Sequence, residues 1–271
     1  MLSVIIPSYR NPKYLDLCLK SLIDGQVNTN EIIVTLDGYV EESQHLMEKY
    51  PTVSWLPFEE NQGFQTAINY AVWNANNPYV FVINDDQVFP NEWDRRLSTV
   101  INSIVDINNS KWVLTVNQVE SVHGMYNFPV NSTLNNNCDE FLYDKWVEYE
   151  KTISVSDKIT NDGHIFPFVV QKKWFMAIGG LDTFYISPQV CDYDMFLKWE
   201  LLGFQFLRTH ALHLYHFGSV VTRKGPEASQ FRQKEAQATM QYDYKWGTGL
   251  YNKPIENSKI PPDGKFKGFI V

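Results

Sequence analysis

The sequence predicts an α/β fold, a mainly parallel sheet flanked by helices on both faces. Short β-branched runs alternate with segments of helical spacing over roughly the first 110 residues. Each run stops on turn-forming or acidic residues, and 44% hydrophobic content in 271 residues is ample for a full core. Strands that alternate with helices at these lengths need right-handed crossovers, which make neighbouring strands parallel.

Taken in order, Ser3 to Ile6 forms a first strand ending in the loop Pro7-Ser8-Tyr9. Asn11 before Pro12 predicts a capped helix start, Leu15, Cys18, Leu19 and Leu22 recur at helical spacing, and Gly25 closes the segment. Ile32 to Leu36 is a second strand ending on Asp37-Gly38, with a polar-faced helix over Glu41 to Lys49. Ser54 to Phe58 is a third strand, after which Asn61-Gln62-Gly63-Phe64 turns into a helix carrying Ala67, Ala71 and Asn74. The fourth strand, Val80 to Ile83, stops at Asn84-Asp85-Asp86, and a helix is expected near Asn91.

Trp112 to Val116 reads as another strand, but the alternation is lost between Gln118 and Gly163, a stretch rich in Asn, Ser, Asp and aromatics. Long irregular insertions are usually functional, so substrate contacts are expected there. Phe166 to Val170 is extended, and an amphipathic piece through Trp174 and Ile178 leads to Gly179-Gly180. Cys191-Asp192-Tyr193-Asp194 opens a helix with Phe196, Trp199, Leu201 and Leu202, its two acids expected in the first turn, where the macrodipole favours them. Leu212 to Phe217 holds His213 and His216; a polar helix runs from Pro226 toward Trp246, followed by a tail with Pro261-Pro262. The expected division is a nucleotide-binding half (1–117), a second half of the same domain (118–225) and a C-terminal helix and tail (226–271).

The net charge of −8 argues against nucleic-acid or anionic-membrane binding, which needs clustered Lys and Arg. No run of ~18 apolar residues suggests a transmembrane segment, and Met1-Leu2-Ser3 leads directly into a strand rather than a leader. Three cysteines at no metal-binding spacing suit a reducing compartment, so a cytoplasmic location is expected. The Gly-rich signatures of dinucleotide and P-loop sites are missing.

In such a sheet, ligands bind outside the carboxyl ends of the strands, which puts Asp85 and Asp86 at the rim of the crevice. Adjacent carboxylates repel unless a cation shares them, and Mg²⁺ or Mn²⁺ carrying a phosphate is a natural occupant. The plainer alternative is that the pair terminates the strand and caps the next helix.

These features in this order resemble a family 2 glycosyltransferase of the GT-A fold. Val4-Ile5-Ile6-Pro7-Ser8-Tyr9 is similar to the family's first strand, whose loop packs against the nucleobase, with Pro7 and Tyr9 in that role. Asp37 matches the position that bonds the base, and Asn61 and Gly63 match the helix start near base and ribose. Asn84-Asp85-Asp86 resembles the D-x-D motif; Asp86 is then the metal ligand, while Asn84 and Asp85 face the ribose or donor sugar. Gly179-Gly180-Leu181-Asp182 followed by Cys191-Asp192 resembles the segment bearing the catalytic base, Asp192, and His216 matches a histidine that completes the metal shell. Cys191 stands where a glutamate is usual, Ile68 where an arginine is common, and Asn84 where the first acid of D-x-D belongs.

The resemblance implies an inverting transfer from a nucleoside diphosphate sugar, with a UDP-sugar favoured, to a hydroxyl acceptor such as a glycan. Asp192 would act as general base and Mn²⁺ or Mg²⁺ on Asp86 as Lewis acid. Arg223 and Lys224, after the histidine element, are candidates to close over the diphosphate, or else solvated loop charges. His213 shares a face with His216 only if that segment is helical. Two alternatives stand beside this reading: a nucleotide-sugar or glycan-binding protein without catalysis, and a sugar nucleotidyltransferase, disfavoured by the missing Gly-rich phosphate loop.

Overall fold

The computed structural model describes residues 2–104, 110–120, 128–135, 137–155, 158–218, 225 and 227–247. The elements run β1 (Leu2–Ser8), α1 (Pro12–Gly25), β2 (Glu31–Asp37), α2 (Val40–Lys49), β3 (Ser54–Phe58), α3 (Phe64–Asn74), β4 (Tyr79–Val82), β5 (Gln87–Val88) and α4 (Trp93–Ser103). There follow β6 (Trp112–Glu120), α5 (Tyr143–Ile153), β7 (Ile159–Thr160), β8 (Phe168–Gln171), α6 (Lys172–Ala177), α7 (Pro188–Leu201), β9 (Gln205–His216) and α8 (Ala228–Trp246).

The described strands form one sheet in the order β3-β2-β1-β4-β8-β6-β9-β5, with β7 paired to β9. The β3-β2-β1-β4 portion is parallel throughout, as its helical crossovers demand. Beyond β4 the sheet is mixed: β8 runs antiparallel to both β4 and β6, and β9 lies parallel to β6. Alternating side chains on β1 explain why both faces need cover: Val4 and Ile6 join a core with Leu15, Leu19 and Leu22 of α1, while Ile5 joins another with Ile68 and Val72 of α3. Phe196 and Trp199 of α7 are core residues on the α3 side, together with Tyr242 and Trp246 of α8.

Two expectations are corrected here, and the condition on His213 is resolved. The 118–163 stretch is not wholly irregular: β6 continues to Glu120, and α5 buries Trp146 and Val147 against Val119 and Tyr215. Helix α7 begins at Pro188, so Asp192 and Asp194 lie beyond its first turn and do not cap it. The segment with His213 and His216 is a strand, so an odd separation puts the two histidines on opposite faces. His213 instead contacts Asn117 and Ser154, and burial depresses its imidazole to about 3.

Candidate active site

The carboxyl ends of β1, β2 and β4 lie side by side, so the loops that follow them leave the sheet at one edge, where ligands bind in open α/β sheets. Asp37 ends β2, and its two carboxylate oxygens accept from the Gln62 N–H (2.6 Å) and the Gly63 N–H (3.0 Å). Those amides lie at the mouth of α3, where helix N–H groups lack intrahelical partners, so Asp37 fixes the start of that helix. Burial raises the Asp37 carboxyl against these two donors. Gly38 is left-handed (φ 81°), and a Cβ there would stand 2.9 Å from the Asn61 nitrogen, so only glycine lets the two loops meet. Asn61 lies against the same turn, its amide nitrogen 3.5 Å from the Asp37 carbonyl oxygen.

After β4 the two acids diverge. Asp85 accepts from Ser8 Oγ (2.6 Å) and Asn11 Nδ2 (3.0 Å), and burial together with the adjacent Asp86 pushes its carboxyl up to about 7. Asn11 stands at the N-cap position of α1 but makes no side-chain cap; it serves the acid instead. Asp86 is buried and faces β9: its Oδ1 lies 3.3 Å from His216 Nε2, and its carbonyl accepts from the Phe217 N–H. The opposite ring nitrogen, Nδ1, is 2.9 Å from Glu120 Oε1. Burial opposes charge on His216, but the Asp86 and Glu120 carboxylates more than offset it and push the imidazole up to about 10. The strand pairing makes this possible. The β6–β9 register shifts after Val116, and beyond the shift Glu120 lies opposite His216. The backbone of Asn84, beside the acids, has its N–H on Gln87 Oε1 (3.3 Å).

A divalent ion held by Asp86 and His216 would replace the Nε2 proton between them, since a ligating imidazole is neutral. Two neighbouring ligands on a six-coordinate Mg²⁺ or Mn²⁺ stand about 3 Å apart, close to the 3.3 Å seen here. Glu120 on the far nitrogen would orient the ring and raise its basicity, the usual second partner of a ligating histidine. Among the described residues no group of three or more His, Cys, Asp or Glu is arranged around a common point. Two protein ligands plus substrate phosphate oxygens is the common arrangement for such ions.

Tyr9, expected against the base, donates from its hydroxyl to Glu227 (3.1 Å) and meets the Tyr39 ring edge-on. Burial and Glu227 push that phenol up to about 12. Pro7 is buried within β1, in register with Thr35. Arg223 and Lys224 lie outside the described residues.

Asp192, on α7, is partly buried, and burial pushes its carboxyl up to about 7 against a hydrogen bond from the Tyr193 N–H. The segment leading into α7 is tied to α3: Gln65 Nε2 donates to the Tyr185 carbonyl (2.7 Å), and Asn69 exchanges hydrogen bonds with Leu181 in both directions (2.7 and 2.9 Å). Sequence reasoning missed Ser8, Glu120 and Gln65 as supports. Only Ser8, in the loop after the first strand, carried a sequence signal.

The family model for glycosyl transferase family 2 matches residues 3–150. The uncharacterized glycosyltransferase YibD of Escherichia coli K12 is 33% identical over 118 residues, covering 41% of this chain and 34% of YibD. An uncharacterized glycosyltransferase of Haemophilus influenzae is 25% identical over 199 residues, covering 73% of this chain and 61% of the relative. The chain thus spans about a third of the length of some curated relatives and well over half of another. Among solved structures, S. aureus TarS 1-349 in complex with UDP superposes with a TM-score of 0.53 at 15% identity, covering 93% of this chain and 73% of that one, which shows a shared fold. With the family model matched over more than half its length, this chain belongs to glycosyl transferase family 2.

Proposed function

We propose that the protein transfers a sugar, with inversion, from a nucleoside diphosphate sugar to a hydroxyl acceptor, with a UDP-sugar as the favoured donor. The observation that carries this reading is the Asp86–His216 pair, backed by Glu120 and set beside Asp85 in the crevice of the parallel strands. The UDP complex of the similarly folded TarS supports a uridine donor.

In this reading the loops after β1 and β2, with Tyr9, Asp37, Asn61 and Gly63, hold the base and ribose, while Asn84 and Asp85 meet the ribose or donor sugar. Asp86 and His216 hold Mn²⁺ or Mg²⁺. When bound, the ion offsets negative charge on the departing diphosphate. Asp192 takes the acceptor proton as the acceptor oxygen bonds to the anomeric carbon and the bond from that carbon to the diphosphate oxygen breaks. A carboxyl near 7 suits this work, because a base is most effective when its pKa lies close to the operating pH. The acceptor is a glycan or another hydroxyl compound, and three free cysteines support action in a reducing compartment such as the cytoplasm. Among the described residues no helix is long and apolar enough to cross a membrane.

The test is nucleotide release from UDP-glucose, UDP-N-acetylglucosamine and UDP-galactose with Mn²⁺ across a panel of glycan acceptors. Acceptor-dependent UDP release that falls by ~10²-fold or more in Asp192→Asn is expected. Release unaffected by that substitution would remove Asp192 from the mechanism.

A further inference from the structure

Among the described residues the carboxyl of Asp192 is hydrogen-bonded only by main-chain N–H groups of its own helix, those of Tyr193 and of Asp192 itself. Its aim is therefore set by the helix that carries it. Two residues on, Asp194 is fully buried and collects donors from three segments: Tyr185 Oη (3.0 Å), Lys245 Nζ (2.6 Å) and Trp246 Nε1 (2.8 Å) on Oδ1, with Lys198 Nζ 2.9 Å from Oδ2. Residues two apart on a helix do not share a face, so Asp194 points into the protein while Asp192 points away from that cluster. Lys245 also bonds Asp182 Oδ2 (2.6 Å), and Asp182 follows Leu181, the residue clamped by Asn69 of α3. A continuous path thus joins α3 on the donor side to Leu181, Asp182, Lys245 of α8, Asp194 and the helix of the base. Gly180 shows how tightly the path is built: it is left-handed (φ 69°), and a Cβ there would lie 2.4 Å from Asn69 Oδ1.

We propose that Asp194 is a positioning residue that, through Lys245 and Trp246, uses the C-terminal helix to hold Asp192 toward the acceptor, making α8 part of the catalytic apparatus. This rests on the role given to Asp192 above. A buried carboxylate with this many donors costs desolvation and, without a further role, is often replaceable by apolar packing. Here two acids, Asp182 and Asp194, balance two lysines, Lys198 and Lys245, so the cluster leaves no net charge beside the base. Other titratable groups around α7 are Cys191 and Glu200 on the helix itself, Tyr242 and Asp243 on α8, and His164 against Phe196; α3 presents the uncharged Gln65 and Asn69.

The balance gives a signed test. Lys245→Met leaves an excess negative charge and Asp194→Asn an excess positive one. At an effective dielectric constant near 20, one charge ~10 Å away moves a titration by about one pH unit. The ¹³C resonance of the Asp192 carboxyl, assigned by its loss in Asp192→Asn, is therefore expected to titrate higher in Lys245→Met and lower in Asp194→Asn. Both variants should lose kcat by ~10-fold or more, with the Kd for UDP and Mn²⁺ changed less than about twofold. Tyr185→Phe removes a hydrogen bond to Asp194 without changing a charge, so its midpoint should stay at the wild-type value while kcat falls; with Asp194→Asn it keeps the test if Lys245→Met does not fold. Charge variants whose midpoints shift with the same sign or do not move, or any of the three variants with kcat retained, would overturn the proposal. A wild type that releases no UDP from any donor would overturn the proposed function instead, because the titration can be read without turnover.

Discussion

Replacing Asp192 by asparagine should stabilise the protein while stopping its chemistry. Burial moves this carboxyl from its ordinary value of 3.8 to about 7. Below pH ~4 the acid is neutral in both folded and unfolded chains, so it carries no ionisation penalty. Between about 4 and 7 the unfolded chain ionises first and the folded chain resists, so stability falls as pH rises and levels off above 7. A shift of some three pH units corresponds to at most about 4 kcal/mol, and relaxation around a partly exposed group reduces that to roughly 2 kcal/mol. Asparagine keeps the shape and can accept the Tyr193 N–H but never ionises. At pH 8 Asp192→Asn should therefore melt roughly 4–8 °C above wild type, using ~2–4 °C per kcal/mol for a chain of this size. At pH 4 the two should melt together. Urea unfolding from pH 4 to 8 gives the free-energy difference directly, and nucleotide release on the same samples should be down ~10²-fold or more. A difference independent of pH, or a wild type more stable at pH 8, would refute the burial account of Asp192.

Other perturbations test the supports of the site. Gly180→Ala puts a Cβ against Asn69 and forces alanine into left-handed backbone, so urea denaturation should show a loss of about 2 kcal/mol or more. Asp37→Asn turns an acceptor toward the Gln62 and Gly63 N–H groups into a part donor; a stability loss of ~1–3 kcal/mol and a weaker Kd for nucleotide by calorimetry are expected. His216→Ala leaves the Asp86 and Glu120 carboxylates without their shared cation, which should cost ~1–3 kcal/mol by denaturation and abolish the effect of Mn²⁺ on nucleotide affinity. The kcat of wild type should rise with pH to a plateau set by a group near 7, and a flat profile from pH 5 to 8 would remove Asp192 as the base.

The parallel portion of the sheet was legible because its signals are local. β1, β2 and β4 are apolar runs bounded by turn residues, and each stops where a site residue begins. What lay beyond local reach were pairings set by register. Glu120 meets His216 only because the β6–β9 ladder slips after Val116, and nothing in the spacing of those residues announces the slip. Asn11 reads as a cap from sequence, yet the nearby Asp85 takes its side chain. Helix α5 was hidden because its buried stripe is short, with Trp146, Val147 and Glu150 inside, and no side chain caps its start. Asp194 looked like a helix-capping acid until the chain direction of α8 brought Lys245 and Trp246 to it.

The most direct test of the central claim is a thermal-shift panel of UDP, GDP, dTDP and CMP, each with and without Mn²⁺, on wild type and on Asp86→Ala. A ligand at ~100 times its Kd stabilises the folded state by about 2.7 kcal/mol, a rise of several degrees here. UDP should raise the wild-type midpoint, more with Mn²⁺ than without, and the benefit of the metal should vanish in Asp86→Ala. If no nucleotide moves the wild type with or without Mn²⁺, the crevice at Asp37, Asp85 and Asp86 does not bind a nucleotide-sugar donor, and the account is contradicted.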